Sequence, residues 1–142
     1  MDIVENIIYH LSHNIKTKID VSKIHGVGVF AIKDIKEGEQ LFPIWEYDTG
    51  IHVIPNNRLK DIPKEVLELL HMYFINDDCG YKIIRLFQGM NFLFNGFSYC
   101  NSAHPNRENI NMDINGIALR DIKAGEEILE WYVENLNLEN SK

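Results

Sequence analysis

Three stretches hold groups whose types could do chemistry. In Gly26-Val27-Gly28 two glycines flank one residue, which lets a backbone approach a ligand closely or merely turns a hairpin. Tyr99-Cys100-Asn101-Ser102-Ala103-His104-Pro105-Asn106 gathers a thiol, an amide and a hydroxyl, although a Pro-Asn pair usually marks a loop. Tyr132 ends an apolar run, a place where tyrosine is usually core. Other candidates are weaker. His10 and His13 share a helical segment but have no carboxylate or third ligand at useful spacing, so both read as surface residues and no metal is assigned. Cys79 and Cys100 are the only cysteines, too few for a disulfide framework or a Cys-rich zinc site, which points to a reducing compartment. Asn76-Asp77-Asp78 could rim a groove for a basic peptide, but a charge pair beside glycine reads better as a solvated turn.

The elements that must position these groups fit one domain. At 142 residues and 45% apolar content the chain can bury one core, not comfortably two. A net charge of −7 argues against nucleic acid as a direct ligand and for a basic polypeptide. No apolar stretch reaches the length of a membrane span, and the start Met1-Asp2-Ile3-Val4-Glu5 lacks the basic region of a signal peptide, so the expectation is a soluble intracellular protein. The 20 isoleucines and 15 asparagines suit an AT-rich genome such as that of a virus or phage.

Ile3, Ile7, Ile8 and Leu11 recur at helical spacing and predict an amphipathic helix over 2–13, packed as a cap on the core. From Ile15 to Leu41, β-branched alternation broken by Gly26, Gly28 and Gly38 predicts short strands and tight turns. A second helix follows Asp61, with Pro63 as its first residue, a stripe of Val66, Leu69, Leu70 and Tyr73, and a stop at Asp77-Asp78-Cys79-Gly80. Residues 82–131 return to short apolar runs cut by glycine and asparagine, the pattern of small twisted sheets. The segment from Ala31 to Leu41 echoes that from Ala118 to Ile128, each reading as strand, turn, strand around a glycine suited to positive φ. Either this is a common hairpin recipe or it is a true pseudo-repeat that gives a two-lobed β fold.

Three segments in order resemble the SET-domain family. His25-Gly26-Val27-Gly28-Val29-Phe30-Ala31, continued by Asp34-Ile35-Lys36-Glu37-Gly38-Glu39, is similar to the family's opening G-x-G-V-F-A and hairpin. Tyr99 to Asn106 resembles a degraded N-H-S-x-x-P-N, and Ala118 to Tyr132 resembles the closing R-D-I-x-x-G-E-E-L strand pair with its tyrosine. The Glu130-Trp131-Tyr132 ending is similar to the PR-type branch. The resemblance implies a mainly β fold with short helices, a SET-type β-clip with a pseudoknot, as a single domain: an N-terminal helix over 1–14, a SET core over 21–132 and a short tail over 133–142.

It also implies an S-adenosylmethionine-dependent methyltransferase acting on a lysine of a basic protein or peptide. Gly26, Val27 and Gly28 would carry the donor's methionine part. The second motif would supply an asparagine for the donor's amino end and backbone for its adenine. An ungapped match keeps Ser102, Pro105 and Asn106 in place and puts Cys100 on the asparagine; a one-residue deletion puts Asn101 there, and an amide suits the role better than a thiol. Tyr132 would point its hydroxyl at the methyl-transfer centre. Glu130 stands where the family often has Phe or Tyr, so the degree of methylation is not carried over. The residues after Tyr132 carry no cysteine for a zinc-binding post-SET segment; Leu136 and Leu138, or a second subunit in a homodimer, would cover the adenine instead. Two rivals stand beside this: a SET- or PR-like binding module without turnover, and a structural β-clip protein that binds no donor.

Overall fold

In chain order the elements are α1 (Ile3–His13), β1 (Thr17–Val21), β2 (Val27–Ala31), β3 (Gly50–Pro55), α2 (Lys64–Tyr73), β4 (Ile75–Asp77), β5 (Tyr81–Leu86), β6 (Asn101–Ser102) and β7 (Glu127–Glu130). They come from a computed structural model that describes residues 2–42, 50–73, 75–77, 80–86 and 99–131. Contacts divide the chain into two compact units, one of Met1–Ile15 and Pro43–Asn95, the other of Lys16–Phe42 and Gly96–Lys142.

In the first unit, α1 forms as its apolar spacing requires. The Asp2 carboxylate caps it by accepting the Glu5 N–H at 2.8 Å, and Ile7 and Leu11 are buried. His10 is half-buried rather than a surface residue: its Nδ1 lies 2.8 Å from Asn14 Nδ2, and burial lowers its pKa. Helix α2 begins one residue later than predicted, with the Pro63 carbonyl taking the first helical bond from Leu67 N–H at 2.9 Å. Val66, Leu69 and Leu70 are buried.

The expected stop is a correction. The helix ends at Tyr73, and Asn76 and Asp77 lie in β4, paired with Lys82 and Tyr81 of β5; Gly80, at φ +97°, belongs to the hairpin between them. An acidic-Gly signal serves a helix end or a hairpin equally, and pairing with the β-branched run of β5 decides for the hairpin. Strand β5 also pairs with β3, giving the antiparallel order β3-β5-β4. Lys82 is fully buried on β5.

The second unit is a sheet of order β1-β2-β7-β6, antiparallel except for the β6–β7 pair. Its core is Val29, Ala31, Ile35, Leu41, Phe42, Cys100, Met112, Ala118, Ile122 and Ile128. The echo between Ala31–Leu41 and Ala118–Ile128 is a true pseudo-repeat, but its copies clasp each other within this unit instead of founding two lobes. Ile35 and Ile122 exchange both backbone bonds, at 2.7 and 2.8 Å. Gly125 N–H donates to Ala31 O and Gly38 N–H to Ala118 O, each at 2.8 Å, and the two glycines have φ of +93° and +89°. Asp34 accepts the Ala124 N–H and Asp121 accepts the Glu37 N–H, each at 2.9 Å. The fold is thus mainly β with short helices. The chain end that the pseudoknot requires, residues 132–142, lies outside the described residues.

Candidate functional site

The site grows from the turn between β1 and β2. Ser22 N–H donates to Gly26 O at 2.9 Å, while the Ser22 hydroxyl accepts the Ile24 N–H at 2.9 Å and the His25 N–H at 3.3 Å. This closes the loop and delivers Gly26, at φ +49°, with open space where a Cβ would stand. Two residues on, Gly28 is buried in β2 opposite Asp20. A Cβ there would collide with the Glu127 carboxylate and press on the Asn101 amide. Gly28 therefore makes room for two of this chain's own side chains, a different use from the direct ligand approach its spacing suggested.

Glu127, at the start of β7, links the parts. The Ser22 hydroxyl donates to its carboxylate, 2.9 Å from each oxygen. Asn101 Nδ2 lies 2.9 Å from Glu127 Oε2 and 3.0 Å from the carbonyl oxygens of both His25 and Val27. Asn101 is brought there by β6, whose parallel pairing sets it against Leu129 and sets Ser102 against Glu130. Strand β7 is itself held by Asn111, a fully buried amide that donates to Glu127 O and accepts the Leu129 N–H, each at 2.8 Å.

Of the two registers for the second motif, the structure brings Asn101 to the glycine loop. Cys100 is turned into the apolar core, where burial first, and then the Glu130 and Glu127 carboxylates, push its thiol pKa well up. It is a buried protonated thiol. Ser102 is half-buried outside the cluster, its hydroxyl accepting the His104 N–H at 3.2 Å. Val27 contributes its carbonyl, while its side chain is exposed. Glu130 is buried on β7. Beyond it the Trp131 ring has His104 at 5.1 Å and the Arg107 guanidinium at 5.5 Å. Tyr132, Leu136 and Leu138 lie outside the described residues.

The SET domain family profile matches residues 26–133. The chain belongs to the SET-domain family. The match spans both units, and Pro43–Asn95 of the first lies in sequence between the two segments of the second, so both are parts of one SET-like domain. Among solved structures, the chain is similar to a candidate histone methyltransferase of Plasmodium falciparum at 22% identity and TM-score 0.36, covering 82% of this chain and 92% of that one. It is also similar to the methyltransferase domain of human PR domain-containing protein 2 at 18% identity and TM-score 0.42, covering 92% and 84%. A comparison with curated proteins returned no match.

Sequence reasoning missed Ser22, Asn111 and Glu127. Glu127 sits inside the quoted Gly125-Glu126-Glu127 signature, but there it reads as one of two exposed hairpin acids. Only the pairing of β2 with β7 shows that the second glutamate faces the glycine loop and the first does not. Among the described residues no three His, Cys, Asp or Glu side chains converge on a point, and no helix is long and apolar enough to cross a membrane.

Proposed function

We propose that this SET-domain chain binds S-adenosylmethionine at the Gly26–Gly28 loop and transfers its methyl group to a lysine side chain of a basic protein or peptide. The observation that carries the reading is the convergence of Asn101, Glu127 and the His25 and Val27 carbonyls on one point beside that loop. A carboxylate and two carbonyls are acceptors of the kind that suit the cationic amino end of the donor, and the open side of Gly26 leaves backbone accessible. Bound S-adenosylmethionine would supply an electrophilic methyl group on a positive sulfur.

The chain's own part is to position and to manage protons. A lysine amine, with an ordinary pKa of about 10.4, must be neutral to attack. A channel with apolar walls lowers that pKa by desolvation. Tyr132, following the Glu130-Trp131 pair, would orient the amine through its hydroxyl. The net charge of −7 favours a basic substrate over nucleic acid, and the scarcity of cysteine suits a reducing compartment inside a cell.

Calorimetric titration with S-adenosylmethionine and S-adenosylhomocysteine, followed by transfer of labelled methyl to lysine-rich peptides, tests this. Gly28→Ala should abolish donor binding, because the new Cβ displaces the Glu127 carboxylate. Tyr132→Phe should leave donor affinity unchanged and lower turnover by about a hundredfold or more. Donor binding with no turnover on any lysine peptide would favour the binding module, and no donor binding at all would leave the structural β-clip protein.

A further inference from the structure

The polar face of α1 borders a cavity of about 410 Å³ within the first unit. Glu5, Tyr9, Ser12 and His13 line it from the helix, and Arg58 and Asp61 from the stretch before α2. Its volume falls in the range of ligand sites, about 300–1,000 Å³. Glu5, Tyr9 and His13 are spaced four apart and so stack in one row along the helix. The His13 ring lies 4.4 Å from that of Tyr9 at an interplanar angle of 24°, and its Nδ1 stands 2.9 Å from Tyr9 O. A carbonyl oxygen only accepts, so Nδ1 carries the proton, and in the neutral ring Nε2 is left as an acceptor. His13 thus takes one face of the Tyr9 ring, yet Tyr9 is still 48% exposed. The result is an aromatic platform with a carboxylate one helical turn away.

The groups around this platform are not used within the chain. Among the described residues, Glu5, Asp61 and Arg58 form no ion pair, with each other or with any other side chain. The Ser12 hydroxyl is buried and has no hydrogen-bond partner, a state in which buried polar groups are seldom found. A planar cation fits this set best. A guanidinium stacks on an aromatic ring and offers five N–H donors in a fixed fork that matches carboxylates, whereas an ammonium has no flat face to stack and an anion would meet two acids. Glu5, Tyr9, His13, Arg58 and Asp61 are all exposed, so the groove does not enclose its ligand as a small-molecule site does. From this arrangement we infer that the groove captures an arginine side chain of a partner polypeptide: the guanidinium lies on Tyr9, Glu5 and Asp61 balance its charge, and Arg58 donates to main-chain carbonyls beside it. The excess of 21 acidic over 14 basic side chains draws such a partner from a distance.

A lysine-free probe tests this without turnover, so no outcome is confused with the methyl-transfer reading. A fluorescein-labelled peptide of arginines spaced by glycine and serine is titrated by anisotropy at low salt, beside a twin with citrulline, which keeps the shape of arginine and loses its charge. Wild type should bind the arginine peptide about tenfold more tightly than the twin. Tyr9→Leu should weaken it by about two- to fivefold, and Glu5→Gln combined with Asp61→Asn by about tenfold. Tyr9→Phe, which keeps the ring, should bind as wild type does. Glu37→Gln removes one charge from an exposed residue outside the groove and should change affinity by less than about twofold. Should Tyr9→Leu lose its helix by circular dichroism, the paired acid substitution carries the test. Equal affinity for the two peptides, or no binding of either, would overturn the inference. So would a loss in Glu37→Gln as large as in Glu5→Gln, which would reduce the attraction to net charge, and so would displacement of the peptide by an equal concentration of free arginine, which would give the groove to a small molecule.

Discussion

At the scale of single residues, Lys82 is a lysine taken out of water. It is fully buried, and its Nζ lies 3.0 Å from His71 Nδ1, with no carboxylate bonded to it among the described residues. Burial holds its pKa below the ordinary 10.5. Between that lowered value and 10.5 the unfolded chain binds more protons than the folded one, so stability rises with pH across the window and the penalty is complete below it. Lys82→Met keeps most of the volume and removes the charge, and His71, being exposed, can bond to water in its place. The variant should be more stable than wild type at neutral pH by about 1–3 kcal/mol, with the gain shrinking as pH approaches 10.5. Urea unfolding of both proteins from neutral to alkaline pH reads this directly, and parallel pH curves would refute it.

At the scale of elements, the clasp between the two repeats is the device that brings Glu127 to the glycine loop. Ala31 N–H bonds to Glu126 O and Ala118 N–H to Glu39 O, both at 2.9 Å, so the end of β2 and the start of β7 are locked one residue from the site. Asp34 and Asp121 make equivalent cross-bonds, and both are exposed. Asp34→Ala and Asp121→Ala should therefore each cost about 1 kcal/mol, as loss of a surface bond to a backbone N–H does, and by nearly equal amounts. A large inequality between their unfolding midpoints would show that the symmetry of the bonds is not a symmetry of energies. This layer also shows what the sequence made legible. Helix α1 was readable because Ile7 and Leu11 repeat at one period on one face, and the repeat was visible as identities at Ala31, Asp34, Ile35, Lys36, Gly38 and Glu39 with their counterparts. That the copies bind each other was not readable, because backbone exchange between Ile35 and Ile122 leaves no mark on side-chain type. The same limit hid Glu127 and Asn111. A carboxylate that fills the space over a glycine, and an amide that edges a strand, both look like ordinary polar residues until the strands are paired.

At the scale of the whole molecule, charge is the property that reaches furthest. The chain carries 21 acidic against 14 basic side chains, and the proposed substrate is a basic peptide. Long-range attraction of this kind acts on encounter and is screened once the Debye length falls to about 10 Å or less, near 0.1 M salt. The proposed donor site, in contrast, is a partly buried cluster, its oxygens 2.9–3.0 Å from the Asn101 amide nitrogen, where screening is weak. Salt should therefore separate the two ligands. Raising ionic strength from roughly 0.02 to 0.2 M should raise KM for a lysine-rich peptide by about tenfold, while donor affinity and kcat change much less. A peptide KM that ignores salt would mean that recognition rests on short-range contacts in the channel, and that the acidity of the chain serves solubility, not substrate capture.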